Sequence, residues 1–337
     1  MDANQTSPQL QMRNLLNGLI ISRALQVAAE LGVADALAGG PKHAEALARE
    51  VGADNVALLR LLRALASVGV FEELPDKRFA NTPQSELLRG ELPESLRGLA
   101  RMFGDSVVWQ AWTGLEHSIR SGEPGFAYVH GLPMFKYLEA HPDSARRFDE
   151  AMASLSGAMN RTLVQAYEWS RFSTLVDIAG GSGSTLAAIL EANPRVSGVL
   201  FDLPHVIERA RSYLGPRGLM ARCRTEAGSF FEAVPAGADG YFMKHIIHDW
   251  SDHDCLRILS VCRSAMPHDA KLLVCERIIL PGNEPSPAKI ADLTMLVMTD
   301  GGRERTEQEF RQLFERTGLR LGRLFPAGDH VIMELTK

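Results

Sequence analysis

Apolar positions recur at helical spacing through the first hundred residues. Leu15, Leu16, Leu19, Ile20, Ala24, Leu25 and Val27 mark one helix; Leu58, Leu61, Leu62, Leu65 and Val68 mark another; Gly32, Gly39 and Gly40 end helical stretches. Apolar-rich residues 70–74 and 78–81 then flank Pro75-Asp76-Lys77, which predicts a small hairpin. Helix, turn, helix and hairpin is a winged-helix pattern. The opening helix is apolar on more than one face, as expected of a helix buried against a second subunit. Residues 95–170 read as helical again, interrupted by Ser121-Gly122-Glu123-Pro124-Gly125, and carry Phe103, Trp109, Trp112, Phe126, Tyr128, Phe135, Tyr137 and Phe148. Such an aromatic layer is either core or the lining of an apolar pocket for a flat ligand.

From residue 175 the period changes. Short apolar runs at 175–178, 198–201, 241–244 and 271–275 alternate with helical segments, the pattern of a parallel sheet with crossover helices. Runs at 319–324 and 330–335 are separated only by a short Pro/Gly turn. A parallel pair needs a crossover of about a dozen residues, so these two must pair antiparallel. The expected architecture is α/β: a doubly wound sheet with a reversed last strand over 171–337, a helical layer over 101–170, and a helical, winged-helix-like domain over 1–100.

A chain of 337 residues suits two domains, and 45% hydrophobic with 23% charged residues is a globular composition. Lys and Arg number 36 against 41 Asp and Glu, a net charge of −5. Residues 1–100 hold ten Lys and Arg against twelve Asp and Glu, so the winged-helix segment lacks the basic balance of a DNA reader. Neither nucleic acid nor an anionic membrane is the expected partner. The stretch Met1 to Asn14 is polar and lacks a signal-peptide pattern, and no apolar run reaches the ~18 residues of a membrane helix. Cys223, Cys255, Cys262 and Cys275 form no CxxC or zinc spacing, which fits buried thiols in a reducing cytoplasm.

The chemistry begins at Leu175-Val176-Asp177-Ile178-Ala179-Gly180-Gly181-Ser182-Gly183, a strand running into a glycine loop with a helix opening at Ser184. Such a loop lets a ligand approach the backbone. A dinucleotide fingerprint needs a third glycine where Leu186 stands, and the acid before the loop, Asp177, suits an amine-bearing ligand instead. Asp202 ends the next strand, about twenty residues on, where an acid can accept both ribose hydroxyls. Loop and acid together point to a nucleoside cofactor.

Over its whole length the chain resembles the plant-type small-molecule O-methyltransferases and their bacterial relatives. The resemblance is carried by the glycine loop, by Phe201-Asp202-Leu203-Pro204-His205-Val206-Ile207, by residues 228–235, by Lys244-His245-Ile246-Ile247-His248-Asp249-Trp250-Ser251-Asp252, and by Gly301-Gly302-Arg303-Glu304-Arg305-Thr306. It implies a winged-helix dimerisation domain, a homodimer, and a Rossmann-like class I methyltransferase domain. The implied reaction transfers a methyl group from S-adenosylmethionine to a hydroxyl of a small aromatic metabolite, leaving S-adenosylhomocysteine, without a metal. By position, Gly181 and Gly183 meet the cofactor's amino-acid end, Asp202 its ribose, and Ser229 and Phe230 its adenine, with Asp177, Lys244 and Ser156 beside it. Met152, Trp112, Asp249, Met295 and Asp300 line the acceptor pocket. His248 is the base, flanked by Glu276 and Glu304. The chain departs from the family at Ala179, a small change for the first loop glycine, and at Ser229 and Phe230, which replace an acid and a methionine. Serine still hydrogen-bonds and phenylalanine still stacks.

A phenol has a pKa near ~10 and a histidine near ~6.5, so a neutral imidazole can take the proton as the new bond to carbon forms. Glu276 follows a buried strand, where site acids collect. Read alone, His248 is also a solvated residue or a cap, and Glu304 a surface acid paired with Arg303 or Arg305. His245, His248, Asp249, Asp252 and His253 crowd together as metal ligands do, yet their spacing places no third ligand after His245 and His248. A cofactor-binding relative that methylates nitrogen, decarboxylates or hydroxylates is the enzymatic alternative. A ligand-sensing winged-helix regulator is the non-enzymatic one.

Overall fold

The computed structural model describes residues 7–337, so the first six of the polar N-terminal stretch lie outside the described residues. The chain falls into two compact units, one of residues up to 106 together with 150–158, the other of 107–149 together with 159–337. The helical stretch 101–170 is therefore divided between the two units rather than standing by itself.

In the first unit the opening helix runs Pro8–Leu31. Ser7 caps it, accepting from Leu10 N–H at 3.3 Å, and Pro8 occupies the first turn, where its missing N–H costs nothing. It stops at Gly32, whose left-handed backbone returns its N–H to Ala28 and Ala29 carbonyls. Helices Ala44–Val51 and Asn55–Ala66 follow, the second capped by Asp54. Val68, expected on that helix, lies beyond its end. Three short strands, β1 (Lys42–His43), β2 (Phe71–Glu73) and β3 (Arg78–Asn81), form an antiparallel sheet in the order β1-β3-β2. The hairpin was legible; the two-residue β1 was not. Leu47, Leu58, Leu62, Leu65, Phe71 and Phe79 fill the core, while Leu15, Leu16, Leu19 and Ile20 stay 61–75% exposed on one face of the opening helix.

The second unit is built on seven strands, β4 (Thr174–Ile178), β5 (Ser197–Asp202), β6 (Cys223–Ala227), β7 (Gly240–Lys244), β8 (Lys271–Glu276), β9 (Arg320–Ala327) and β10 (His330–Thr336). Their order is β6-β5-β4-β7-β8-β10-β9. β4 to β8 are parallel, and β10 runs antiparallel to both of its neighbours, the reversed last strand that the sequence predicts. The central strands read as unbroken apolar runs because helices cover both faces of the sheet. β6, Cys-Arg-Thr-Glu-Ala, has no such run and gives no strand signal. β9 continues through Pro326, where a turn was expected; as an edge strand it tolerates a residue without an N–H. All four cysteines are buried and unpaired. Among the described residues, no helix is long and apolar enough to cross a membrane.

β4 delivers the chain into the glycine loop with a strained step. Ala179 takes φ +55°, a region in which a β-carbon costs about 1–2 kcal/mol. The change from glycine is thus not as small as its size implies. Ala179→Gly should raise the unfolding free energy by about 0.5–1 kcal/mol, the strain relieved less the extra chain entropy of glycine. A denaturant midpoint that stays put or falls would show that the loop carries no such strain.

Candidate active site

The carboxyl ends of β4, β5, β6, β7 and β8 gather Asp177, the glycine loop, Asp202, Ser229, Phe230, Lys244, His248 and Glu276 on one edge of the sheet, where open α/β sheets hold their ligands. At the first crossing the loop must come close to Leu200 and Asp177. A β-carbon on Gly180 would lie 2.4 Å from Leu200 Cδ1 and 2.5 Å from Asp177 Oδ2. Gly181 and Gly183 take φ +59° and +76°. Asp202, at the end of β5, accepts from Gly181 N–H at 2.8 Å through Oδ2 and from Leu203 N–H at 2.7 Å through Oδ1. The acid expected to hold a ribose therefore also braces the loop; a carboxylate has about four lone-pair sites, so capacity remains. Asp177 is 2% exposed and its Oδ2 has no hydrogen-bond partner among the described residues. Burial pushes its carboxyl up to about 7, with Lys244 at the end of β7 pulling the other way. Burial likewise lowers the Lys244 ammonium.

Beyond Lys244 the chain turns sharply and forms the single turn Ile247–Asp249. Two amides in that turn, those of Ile246 and Ile247, donate to Glu276 Oε1 at 2.9 and 2.8 Å. The turn presents His248, 7% exposed, to two acids that are themselves 0% and 1% exposed, Glu276 and Glu304. His248 Nδ1 lies 3.0 Å from Glu304 Oε1 and 3.6 Å from Glu276 Oε2, while Nε2 lies 3.6 Å from Asp249 Oδ1. Of the two flanking acids, then, Glu304 makes the hydrogen bond and Glu276 acts through its charge. Glu304 is not a surface acid: its Oε2 and the Oε2 of Glu276 are both buried without a hydrogen-bond partner among the described residues. Burial disfavours the charged His248 ring, but Glu276, Asp249 and Glu304 together outweigh it and lift the imidazole to about 9. Burial pushes Glu276 up to about 7 and Asp249 to about 6, each opposed by the nearby imidazole.

The crowd of residues read as possible metal ligands does not assemble. Asp252 pairs with Arg303 and Arg305, and His253 is an exposed neighbour of Asp254. The ligand atoms that do converge, within 4.8 Å of one another, are those of His248, Glu276 and Glu304. Phe230 packs edge-on to Trp250 at 5.9 Å, and Ser229 Oγ accepts from Phe231 N–H at 3.3 Å. Trp112 sits in helix Ser106–Thr113 and Met295 in helix Pro287–Met298, both partly buried; Asp300, just past the latter, is exposed. Met152 and Ser156 belong to the segment that clusters with the first unit.

A family model for the O-methyltransferase domain matches residues 112–320, and one for the O-methyltransferase dimerisation domain matches 13–91. The chain belongs to the O-methyltransferase family. A phenazine O-methyltransferase of Lysobacter antibioticus is 41% identical over 94% of this chain and 92% of its own length. An 8-amino-8-demethylriboflavin N,N-dimethyltransferase of Streptomyces davaonensis is 34% identical over 92% and 90%. The crystal structure of an O-methyltransferase from neocarzinostatin biosynthesis, in complex with S-adenosylmethionine and 2-hydroxy-5-methyl naphthoic acid, matches with a TM-score of 0.77 at 32% identity, over 94% of this chain and 95% of that one.

Sequence reasoning passed over the residues that hold the methyltransferase's histidine in place. Arg305 is 0% exposed and donates to the Ile247 and Trp250 carbonyls and to Asp252, so it clamps the turn that carries His248. Asp292 accepts from Glu304 N–H at 2.9 Å. Gly302 lets two loops meet: a β-carbon there would lie 2.3 Å from Thr299 Oγ1, 2.5 Å from His248 O and 2.7 Å from Asp249 C. Two of those atoms are backbone and cannot swing away. Gly302→Ala should therefore cost about 1–3 kcal/mol of stability, as overpacking does, and lower turnover with it. A variant with the parent's denaturation midpoint and turnover would show that the two loops part freely.

Proposed function

We propose that this methyltransferase moves a methyl group from S-adenosylmethionine to a hydroxyl of a small aromatic acceptor, with His248 as the general base. The observation that carries the reading is a buried imidazole hydrogen-bonded at Nδ1 to a buried carboxylate, Glu304, at 3.0 Å. The cofactor fits the donor set. The unpartnered Oδ2 of Asp177 suits its amine, the glycine loop admits its amino-acid end without a β-carbon at Gly181 or Gly183, and Asp202 has acceptor capacity for its ribose. Lys244 completes that side, and Ser229 and Phe230 take the adenine. When bound, the cofactor supplies a methyl group already activated by a sulfonium.

The chain's own work is to orient the acceptor and move its proton. With Nδ1–H donating to Glu304, Nε2 is the atom that takes the proton from the acceptor hydroxyl. Asp249, 3.6 Å from Nε2, and Trp112, Met295 and Asp300 are the proposed acceptor pocket. The imidazolium that forms is stabilised by Glu276 and Glu304. Before the acceptor arrives the same acids hold a proton on His248, so the base must first be unloaded; a cationic sulfonium nearby favours that. The relative that dimethylates an amine suggests nitrogen as the alternative target, but a neutral amine needs no base, and the His248–Glu304 pair would then be idle.

His248→Ala should lower turnover by ~10²–10⁴-fold on weakly acidic phenols and recover on phenols acidic enough to arrive ionised. Equal slowness on all of them would make His248 a substrate-positioning residue and overturn the base assignment. The parent's kcat/KM should climb with pH along a limb set by the raised His248 pKa, above the usual ~6.5. Glu304→Gln removes one of the charges that raise it, so its limb should move to lower pH. A limb that stays in place would remove Glu304 from the coupling.

We also propose that the first unit pairs two copies of the chain through the exposed row Met12, Leu15, Leu16, Leu19 and Ile20. A contiguous apolar face on a helix otherwise invites association. Leu16→Glu with Leu19→Glu, both already exposed, should leave the fold intact and give a monomer by light scattering. A double variant that stays dimeric would place the interface elsewhere.

A further inference from the structure

β7 ends at Lys244, and His245 takes φ +55°, where a β-carbon is disfavoured. Its N–H donates to Cys275 O at 3.1 Å, which fixes the backbone but calls for no particular side chain. The side chain is fixed independently. Its Nε2 lies 2.6 Å from Nε2 of His330, the first residue of β10, which is 1% exposed. His330 Nδ1 lies 2.5 Å from Asp329 Oδ1, and Asp329 Oδ2 accepts from Arg277 Nε at 3.1 Å. On its other side the His245 ring lies against His248, with centroids 5.3 Å apart and planes 17° from parallel.

Two imidazoles meeting nitrogen to nitrogen need one donor and one acceptor. Asp329 is held down to about 2, chiefly by His330, so it stays anionic; its Oδ1 lies 2.5 Å from His330 Nδ1 without hydrogen-bond geometry, and its charge favours the tautomer with the proton on Nδ1. His330 Nε2 then accepts, and His245 Nε2–H donates. Burial, with Lys244 and Arg277 nearby, disfavours the charged form of both rings. The ring beside His248 is therefore neutral, which is the state that can lie against an imidazolium without repelling it.

We propose that His245 is a positioning residue for His248, its own ring held by His330, whose tautomer the Asp329–Arg277 ion pair biases, so that this half-buried pair helps to fix the plane of the base. Glu304 ties down one atom of the His248 ring, Nδ1. A flat neighbour restrains rotation about that hydrogen bond and so aims Nε2. Proton transfer depends steeply on such alignment. The inference rests on His248 being the base.

The test replaces the anchor rather than the ring. His330→Leu should lower kcat on a weakly acidic phenol by about tenfold, with cofactor Kd and acceptor KM within about twofold of the parent, and should recover on strongly acidic phenols. His330→Gln, whose amide oxygen can accept from His245 Nε2–H, should restore most of the loss. Asp329→Asn, at the exposed end, should show a smaller loss with the same dependence on acceptor acidity. Parent-like turnover in the Leu and Asn variants, or a loss equal across all phenols, would overturn the positioning role while a slow His248→Ala left the base assignment standing. A His248→Ala variant without loss would remove both together.

Discussion

Two buried carboxyl groups and a third, partly exposed one face a single buried imidazole, and the surrounding structure is arranged around keeping that cluster from flying apart. Glu276 is tolerable because one of its oxygens receives two amides from the turn that carries His248. Glu304 is tolerable because His248 donates to it and its own backbone is pinned by Asp292. The turn itself is held by Arg305, a buried cation spent on two carbonyls and on Asp252. Remove any of these and a buried charge or polar group is left without compensation, which costs more than the loss of a contact.

The cofactor edge follows the same logic with fewer groups. Asp177 and Lys244 close two adjacent parallel strands, each shifted toward its neutral form by burial and each restrained by the other. Asp202 braces the loop through Gly181, so the loop is shaped before a ligand comes. Pre-shaping of this kind lowers the ordering cost of binding.

What could be read from the sequence tracks how local its cause is. β4, β5, β7 and β8 announce themselves because strands buried on both faces must be apolar throughout, and the reversed pair β9–β10 because a short connection permits nothing else. β6 is silent because its residues are polar and its place is set by β5. The glycine loop and Asp202 stand out by motif and spacing and Glu276 by its place at the end of a buried strand, whereas His248 is singled out by the family resemblance. The place of Glu304 came only from the family resemblance: alone it reads as a partner for Arg303 or Arg305, and it is the folded chain that buries it and brings it 56 residues back to His248. Arg305 was missed for the same reason, since a lone arginine reads as surface. The strain at Ala179 was missed because a backbone angle leaves no mark in composition.

The place of β10 in the sheet has a consequence for how the enzyme comes to be. It is the last strand in chain order, yet it lies between β8 and β9. Until it arrives, β8 keeps an open edge, and β9 has no strand to join. The sheet can therefore be finished only after all of its other strands exist, and finishing it carries His330 to His245. Folding and arming the site are on this account a single event: a nascent or partly unravelled chain that lacks the final strand also lacks that anchor beside its histidine.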